Sequence, residues 1–469
     1  MPSTERTLWL GEPTWTRHQL SLLYGLDDFR FEIAIWYSEV DLRALEQAWG
    51  RPFLERLFFH VQLVEASKLL CLRPTWLDPR GQARFFTPEV EELWRTLIRG
   101  VWAQWRYEND LPEDRGPRVV GGTTAEKGPA PIHRREPAED LLLLCGGGKD
   151  SLVAMQLLER ADQAYSSLAY SSSVYGMAQA QHRLIDGLLD HGKPRMRYRQ
   201  WIYDSAIEAP LAELEPDLLK GELIAAETPS SIFATLPLAL SRGIRHLVVA
   251  HERSANVGNL VWDATGEDVN HQWGKSFEAE VLMNRYIQRH LVADVGYFSL
   301  LQPIHDAIIF TLLRRDLEAV PATHSCNRQK PWCGRCPKCA YVGLGYLAYL
   351  PRDLALGTLG GNPLDAEENL LSFRQMLGLE EHTPFECIGQ VPETRLAFEL
   401  CRLKGVEGRA MDVYREAFPR LDVDPILDRY LAVDGQTHGL PTELASKILR
   451  QFDEGAREAR AYVEGLLRR

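Results

Sequence analysis

Hydrophobic and polar positions change their period several times along the chain. Arg30-Phe31-Glu32-Ile33-Ala34-Ile35-Trp36 alternates with period two, which predicts a half-buried strand. Residues 53–72 and 88–105 repeat at helical spacing. From residue 141 a different rhythm begins. Short apolar runs at 141–144, 167–170, 196–202 and 246–250 predict strands, and the stretches 151–161, 178–189 and 232–241 between them predict helices. Alternating β and α elements imply a parallel sheet covered by helices. In such sheets ligands bind beyond the carboxyl ends of strands, which points to the turns after Leu144 and Ala250. Beyond about residue 351 the helical period dominates, at 366–377, 393–403 and 441–468.

The expected fold class is therefore α/β. Residues 1–113 read as an N-terminal α/β accessory domain without a catalytic motif. Residues 114–139 read as a linker, rich in Gly and Pro around Gly121-Gly122 and Gly128-Pro129-Ala130-Pro131. Residues 140–350 form the parallel-sheet core, and 351–469 a helical C-terminal region. The 469 residues, 45% hydrophobic and 25% charged, suit a globular chain of two or three domains. No apolar run reaches the roughly 18 residues of a membrane span. The first residues lack a basic start followed by an apolar stretch, so no signal peptide is expected and the expected location is cytoplasmic. A formal net charge of -12 argues against a nucleic-acid partner, because phosphates would be repelled.

The strongest motif follows the apolar run Leu141-Leu142-Leu143-Leu144: Cys145-Gly146-Gly147-Gly148-Lys149-Asp150-Ser151, then a helical stretch. Glycines allow a sharp turn and close approach of the backbone to an anion. Successive N–H groups and the start of a helix then face a phosphate. Lys149 adds charge, Ser151 adds a donor, and Asp150 can cap the helix or help to hold Mg²⁺. A Walker A loop is excluded, since Leu143 stands where its first glycine belongs and Asp150 follows the lysine. Gly274-Lys275-Ser276 fails the same test at Val269. The bland alternative is a tight strand-to-helix turn without a ligand.

Of eight cysteines, Cys326, Cys333, Cys336 and Cys339 cluster within 14 residues. Four thiolates at this spacing suit a closed, structural metal site. Zinc fits, and an iron–sulfur centre is the rival. Ferredoxin-type runs place the fourth cysteine downstream, whereas Cys326 lies upstream. Further candidates are His251-Glu252-Arg253-Ser254-Ala255-Asn256 after the fourth strand, and Asn270-His271-Gln272-Trp273-Gly274-Lys275-Ser276-Phe277-Glu278 before a helix at 277–290. Solvated loops with capping serines are the plain alternatives there. Ala226-Glu227-Thr228-Pro229-Ser230-Ser231 reads as a helix cap rather than a functional segment, and His305 and His324 as structural histidines.

The segment Gly146-Gly147-Gly148-Lys149-Asp150-Ser151 resembles the Ser-Gly-Gly-x-Asp-Ser signature of the PP-loop, or adenine nucleotide α-hydrolase, family, with Gly146 in place of the first serine. Such enzymes split ATP between the α and β phosphates. A PP-loop followed by four cysteines is similar to 7-cyano-7-deazaguanine synthase, which implies the alternative of an ATP-dependent ligase or amidotransferase. The full constellation, with His-Glu-Arg-Ser-Ala-Asn, Asn-His-Gln-Trp-Gly-Lys-Ser and Trp-Cys-Gly-Arg-Cys-Pro-Lys-Cys, most resembles the UDP-N-acetylmuramoyl-L-alanyl-L-glutamate epimerases of peptidoglycan synthesis. That resemblance implies ATP, Mg²⁺ and a UDP-linked muramoyl dipeptide as reactants, with AMP and pyrophosphate released and L-Glu inverted to D-Glu. It implies that Gly146, Gly147, Gly148, Lys149, Asp150 and Ser151 hold ATP, and that Cys326, Cys333, Cys336 and Cys339 hold Zn²⁺. The acid/base candidates are His251, Glu252, His271, Lys275 and Glu278, with Cys145 a weaker one.

Overall fold

A computed structural model describes residues 5–124, 128–134, 139–214 and 224–468. Residues 1–4 and parts of the expected linker, 125–127 and 135–138, lie outside the described residues. The strands are β1 (Thr7–Leu10), β2 (Thr14–Trp15), β3 (Gln19–Leu26), β4 (Phe29–Tyr37), β5 (Trp76–Asp78), β6 (Arg118–Val119), β7 (Glu139–Cys145), β8 (Ser166–Ser172), β9 (Arg197–Asp204), β10 (Ile244–Glu252), β11 (Leu260–Trp262), β12 (Glu267–Val269) and β13 (Gly296–Leu301). Strands β11 and β12 pair as a separate antiparallel ribbon. The other eleven form one sheet in the order β13-β10-β7-β8-β9-β4-β3-β1-β5-β6, with β2 on β3.

The five strands β13, β10, β7, β8 and β9 are mutually parallel. Read from β9, their sequence order is 3-2-1-4-5, the doubly wound arrangement. The switch point lies between β7 and β10, where connections diverge and a crevice opens at the carboxyl ends. Both turns singled out from the sequence sit there.

Strand β7 is buried on both faces, as expected of a strand inside a parallel sheet. Leu142 enters one core and Leu141, Leu143 and Cys145 enter the other. The first core is covered by helices α1 (Arg51–Ala66), α3 (Glu227–Arg242) and α4 (Phe277–His290). The second is covered by α2 (Lys149–Arg160), α5 (Asp306–Leu312), α6 (Pro337–Tyr349), α7 (Val391–Leu403) and α8 (Thr442–Leu467). The C-terminal helices thus close one face of the core sheet.

Residues before 114 join the same sheet. The alternation in β4 buries Phe31, Ile33, Ile35 and Tyr37, and Ile33 to Tyr37 pair antiparallel with Gln200 to Asp204 of β9. The first core continues across this joint without a break. Two expected helices are divided. Residues 51–66 are α-helical and 67–72 continue as a 3₁₀ turn, while the pattern from Pro88 stops at Val101 and resumes at Ala103. Helical spacing in sequence does not separate α from 3₁₀ continuation. Among the described residues no helix is long and apolar enough to cross a membrane.

Candidate active site at the switch point

After Cys145 the chain turns through three glycines, and α2 begins at Lys149 with Gly148 as its N-cap and no side chain capping it. The amides of that first helical turn are the groups a phosphate can occupy. Gly147 has φ of +87°, a conformation L-residues rarely adopt. A Cβ there would lie 1.9 Å from Cε1 of His324, and the backbone N–H of His324 donates to the Gly147 carbonyl at 2.8 Å. A Cβ on Gly148 would meet Ser325 Oγ at 2.8 Å. Gly146 has open space around it and lines a cavity of about 290 Å³.

Lys149 is 2% exposed and its ammonium bonds both Asp150 and Asp306. Burial alone would lower its pKa, but the two carboxylates hold it above the ordinary lysine value. Lys149, expected to bring charge to the loop, thereby also ties the loop to α5. Lys149 lines the cavity together with Lys275, Lys330 and Lys338. Beneath the loop lie three buried acids, Glu252, Asp306 and Glu393. Glu252 caps the turn at Ser254, and burial together with Asp306 and Glu393 pushes its carboxyl well above the usual range. Burial and Asp306 raise Glu393 to about 7. Ser254 Oγ donates to Glu393 at 2.7 Å, and Tyr341 OH donates to Asp306 at 2.9 Å.

A second cavity of about 480 Å³ adjoins the first, and the two share Tyr175, Glu227, Gln272, Lys275, Asn327 and Cys387 as wall residues. At their junction Lys275 Nζ lies 2.8 Å from Cys387 Sγ. His271 Nδ1 lies 2.7 Å from Gln104 Oε1, which orients the ring toward Cys387 and Glu386; polar atoms of His271, Glu386 and Cys387 lie within 4.8 Å of one another. Burial alone would raise the Cys387 thiol, but Lys275, a hydrogen bond from His271 and Lys338 outweigh it and bring it down to about 6. The same pairing, against burial, holds Lys275 above the ordinary lysine value.

The sulfurs of Cys326, Cys333, Cys336 and Cys339 lie within 4.8 Å of one another, a group able to hold a metal ion. Cys336 N-caps α6, and Cys339 sits in its first turn. The segment from His324 to Cys339 that carries this cluster also supplies His324, Ser325, Asn327, Lys330 and Lys338 to the cavity.

Two stretches match MurL family models. Residues 229–300 match the MurL N-terminal domain and 322–416 the MurL C-terminal domain. The first stretch contains His251, Glu252 and Lys275, and the second contains the cysteine cluster and Cys387. The chain is 30% identical over 311 residues to the UDP-N-acetyl-alpha-D-muramoyl-L-alanyl-L-glutamate epimerase of Micromonospora sp., a match spanning 64% of each. The like-named protein of Xanthomonas oryzae pv. oryzae is 29% identical over 326 residues, 66% of this chain and 68% of its own. That of Salinispora tropica is 30% identical over 308 residues, 64% and 63% of the two chains. The chain thus spans just under two thirds of the Micromonospora and Salinispora relatives.

Of the residues singled out in the sequence, Gly146, Gly148, Lys149, Asp150, Ser151, His251, Glu252 and Lys275 line the cavity at the glycine turn, and His271 lines its neighbour. Gly147 is buried against His324. His251 is held neutral by burial and by Lys275. Glu278 is not brought to the cavity: it is exposed and accepts from Trp273 Nε1 at 3.2 Å. Cys145 is packed in the core, its thiol raised to about 11 by burial. Glu227, Thr228 and His324, read as structural, line the cavity. Asp306 and Cys387 carry no local motif that would have marked them.

Proposed function

We propose that the chain is an ATP-dependent epimerase that converts UDP-MurNAc-L-Ala-L-Glu to UDP-MurNAc-L-Ala-D-Glu in peptidoglycan synthesis, with release of AMP and pyrophosphate. The observation that carries this reading is the meeting of a phosphate-loop cavity with a second, larger cavity at one charged junction. The names of the relatives support the substrate. The strand, glycine turn and helix at a doubly wound switch point support PP-loop use of ATP.

The chemistry requires activation. A proton α to a free carboxylate is weakly acidic, because its removal stacks negative charge. Adenylation of that carboxylate removes the charge and draws electrons from Cα, so a base can take the proton and an acid return one to the other face. ATP lies in the phosphate-loop cavity with its phosphates toward Gly146 and the first turn of α2. The peptide end of the substrate enters through the second cavity, and its carboxylate meets the α-phosphate at the junction. Lys275 stabilises charge on the enolate oxygen. Glu252, whose carboxyl is raised well above the usual range by burial and by Asp306 and Glu393, is suited to donate a proton, and uncharged His251 lines the same wall. Asp150, on the cavity wall, would help to hold Mg²⁺, which would neutralise phosphate charge there.

The cysteine cluster is assigned to structural zinc. Cys326 and Cys336 sulfurs are 3.8 Å apart, as are those of Cys333 and Cys339. Zn–S bonds of about 2.3 Å in a tetrahedron require sulfur separations of about 3.8 Å. A nucleotide-linked precursor and ATP place the reaction in the cytoplasm.

The test is pyrophosphate release with ATP, Mg²⁺ and UDP-MurNAc-L-Ala-L-Glu, followed by chiral analysis of glutamate after acid hydrolysis. The expected result is substrate-dependent pyrophosphate together with D-Glu. Folded protein that releases neither overturns the proposal, and pyrophosphate release that needs ammonia without D-Glu turns it to a ligase.

A further inference from the structure

Sequence motifs leave Cys387 unassigned, yet it sits where the two cavities meet. Three features set it apart from the other cysteines. It is half-buried at a cavity wall, whereas Cys71, Cys145 and Cys401 are fully buried. Its sulfur lies 2.8 Å from the Lys275 ammonium. His271, oriented by Gln104, faces it from the other side. Two cationic or proton-donating partners on one sulfur favour the thiolate over the thiol, which is the form that accepts a proton.

We infer that the Cys387 thiolate is a catalytic base that removes the α-proton of the activated glutamyl group, with Lys275 and His271 as its positioning residues. This rests on the epimerase reading above. The Cα–H bond breaks as the S–H bond forms, and the electron pair remains in the enolate of the acyl adenylate. A protonated acid elsewhere on the cavity wall, Glu252 in this chain, delivers a proton to the opposite face and restores the C–H bond. The new thiol returns its proton to water, Glu252 takes one up, and both groups are reset. No oxidant or further reactant is needed.

The junction explains why a sulfur outside the phosphate loop is used. Lys275 and Cys387 line both cavities whereas Gly146 lines only the first, so a group activated where the cavities meet presents its neighbouring carbon to this wall. The groups facing the sulfur are Lys275, His271, Lys338, Glu386 and Tyr175, with Glu227 set against Lys275 and Tyr175 behind them. Three cationic or proton-donating groups lie close around it, in keeping with a thiol that titrates near 6.

Cys387→Ala tests the assignment by the ratio of D-Glu formed to pyrophosphate released, with α-deuterium incorporation from D₂O read on the same product. The expected result is a fall of 100-fold or more in that ratio. Wild-type-like epimerisation by the variant overturns the inference while leaving the epimerase reading intact. Absence of D-Glu from the wild type sinks the epimerase reading itself. Should the variant lose pyrophosphate release as well, iodoacetamide on the wild type decides. Alkylation of Cys387 with a midpoint near pH 6, and loss of deuterium incorporation ahead of pyrophosphate release, supports the base. Reaction only in the ordinary thiol range, or a second tightly bound zinc lost with Cys387, overturns it.

Discussion

Neighbouring glycines in the turn after β7 make opposite demands, and a matched pair of alanine substitutions separates them. At Gly147 the backbone φ of +87° and the His324 ring both stand against a methyl group. Left-handed backbone costs an L-residue roughly 1–2 kcal/mol. Forcing the ring away adds the roughly 1–3 kcal/mol typical of overpacking. Gly147→Ala is therefore expected to lose about 2–5 kcal/mol, read as a lower urea midpoint with an unchanged slope. At Gly146 nothing lies within 4 Å of an added Cβ. Gly146→Ala is expected to fold at least as stably as the parent, because alanine reduces the freedom of the unfolded chain. Its methyl stands in the space assigned to phosphate, so ATP affinity by calorimetry should fall at least tenfold. A Gly147→Ala protein as stable as the parent refutes the packing argument. A Gly146→Ala protein that binds ATP normally refutes the placement of the phosphates.

Four further outcomes follow from the same geometry. Asp306→Asn strips the buried Lys149 ammonium of one of its two carboxylates and should cost about 3 kcal/mol in chemical denaturation. Burial raises Glu280 from 4.5 to about 7, so its neutral form belongs to the fold. Stability from this group is complete below pH 4.5 and falls by up to about 3 kcal/mol as pH rises through 7, a slope that Glu280→Gln should flatten. Cys336→Ala should remove zinc measured by elemental analysis and weaken ATP binding together, since the cluster segment carries Lys330 and Lys338 to the cavity. Lys275→Met should slow alkylation of Cys387 at pH 7 by about tenfold or more, as the thiol returns toward its ordinary range.

The sequence reveals local features well and distant partnerships poorly. The helix at residues 178–189 and that at 277–290 end where their periodicity does, and the second is started by Ser276, which accepts from Ala279 N–H. The loop after β7 was legible because strand, glycines and helix are contiguous. Strand β13 was not, since six buried residues between helices carry no period of their own. Lys149 is legible as part of the loop, but its partner Asp306, far along the chain, leaves no local trace beside it. Cys387 reads as a stray cysteine for the same reason: its meaning comes from Lys275 and His271, which no local pattern joins to it. Continuity of the sheet through β4 and β9 was hidden because strand pairing across separate segments leaves no local trace.

That joint ties two properties that many enzymes keep apart. Residues 33–37 seal the flank of β9, which would otherwise present unpaired N–H and C=O groups to any other chain. The same N-terminal portion contributes Lys68, Val101 and Gln104 to the wall of the larger cavity, and Gln104 holds His271. A lineage altering what that cavity admits must therefore edit the portion that also guards against aggregation. Changes in selectivity are then expected to arrive as small side-chain exchanges on a retained scaffold, while loss or replacement of the portion as a whole removes recognition and solubility in a single step.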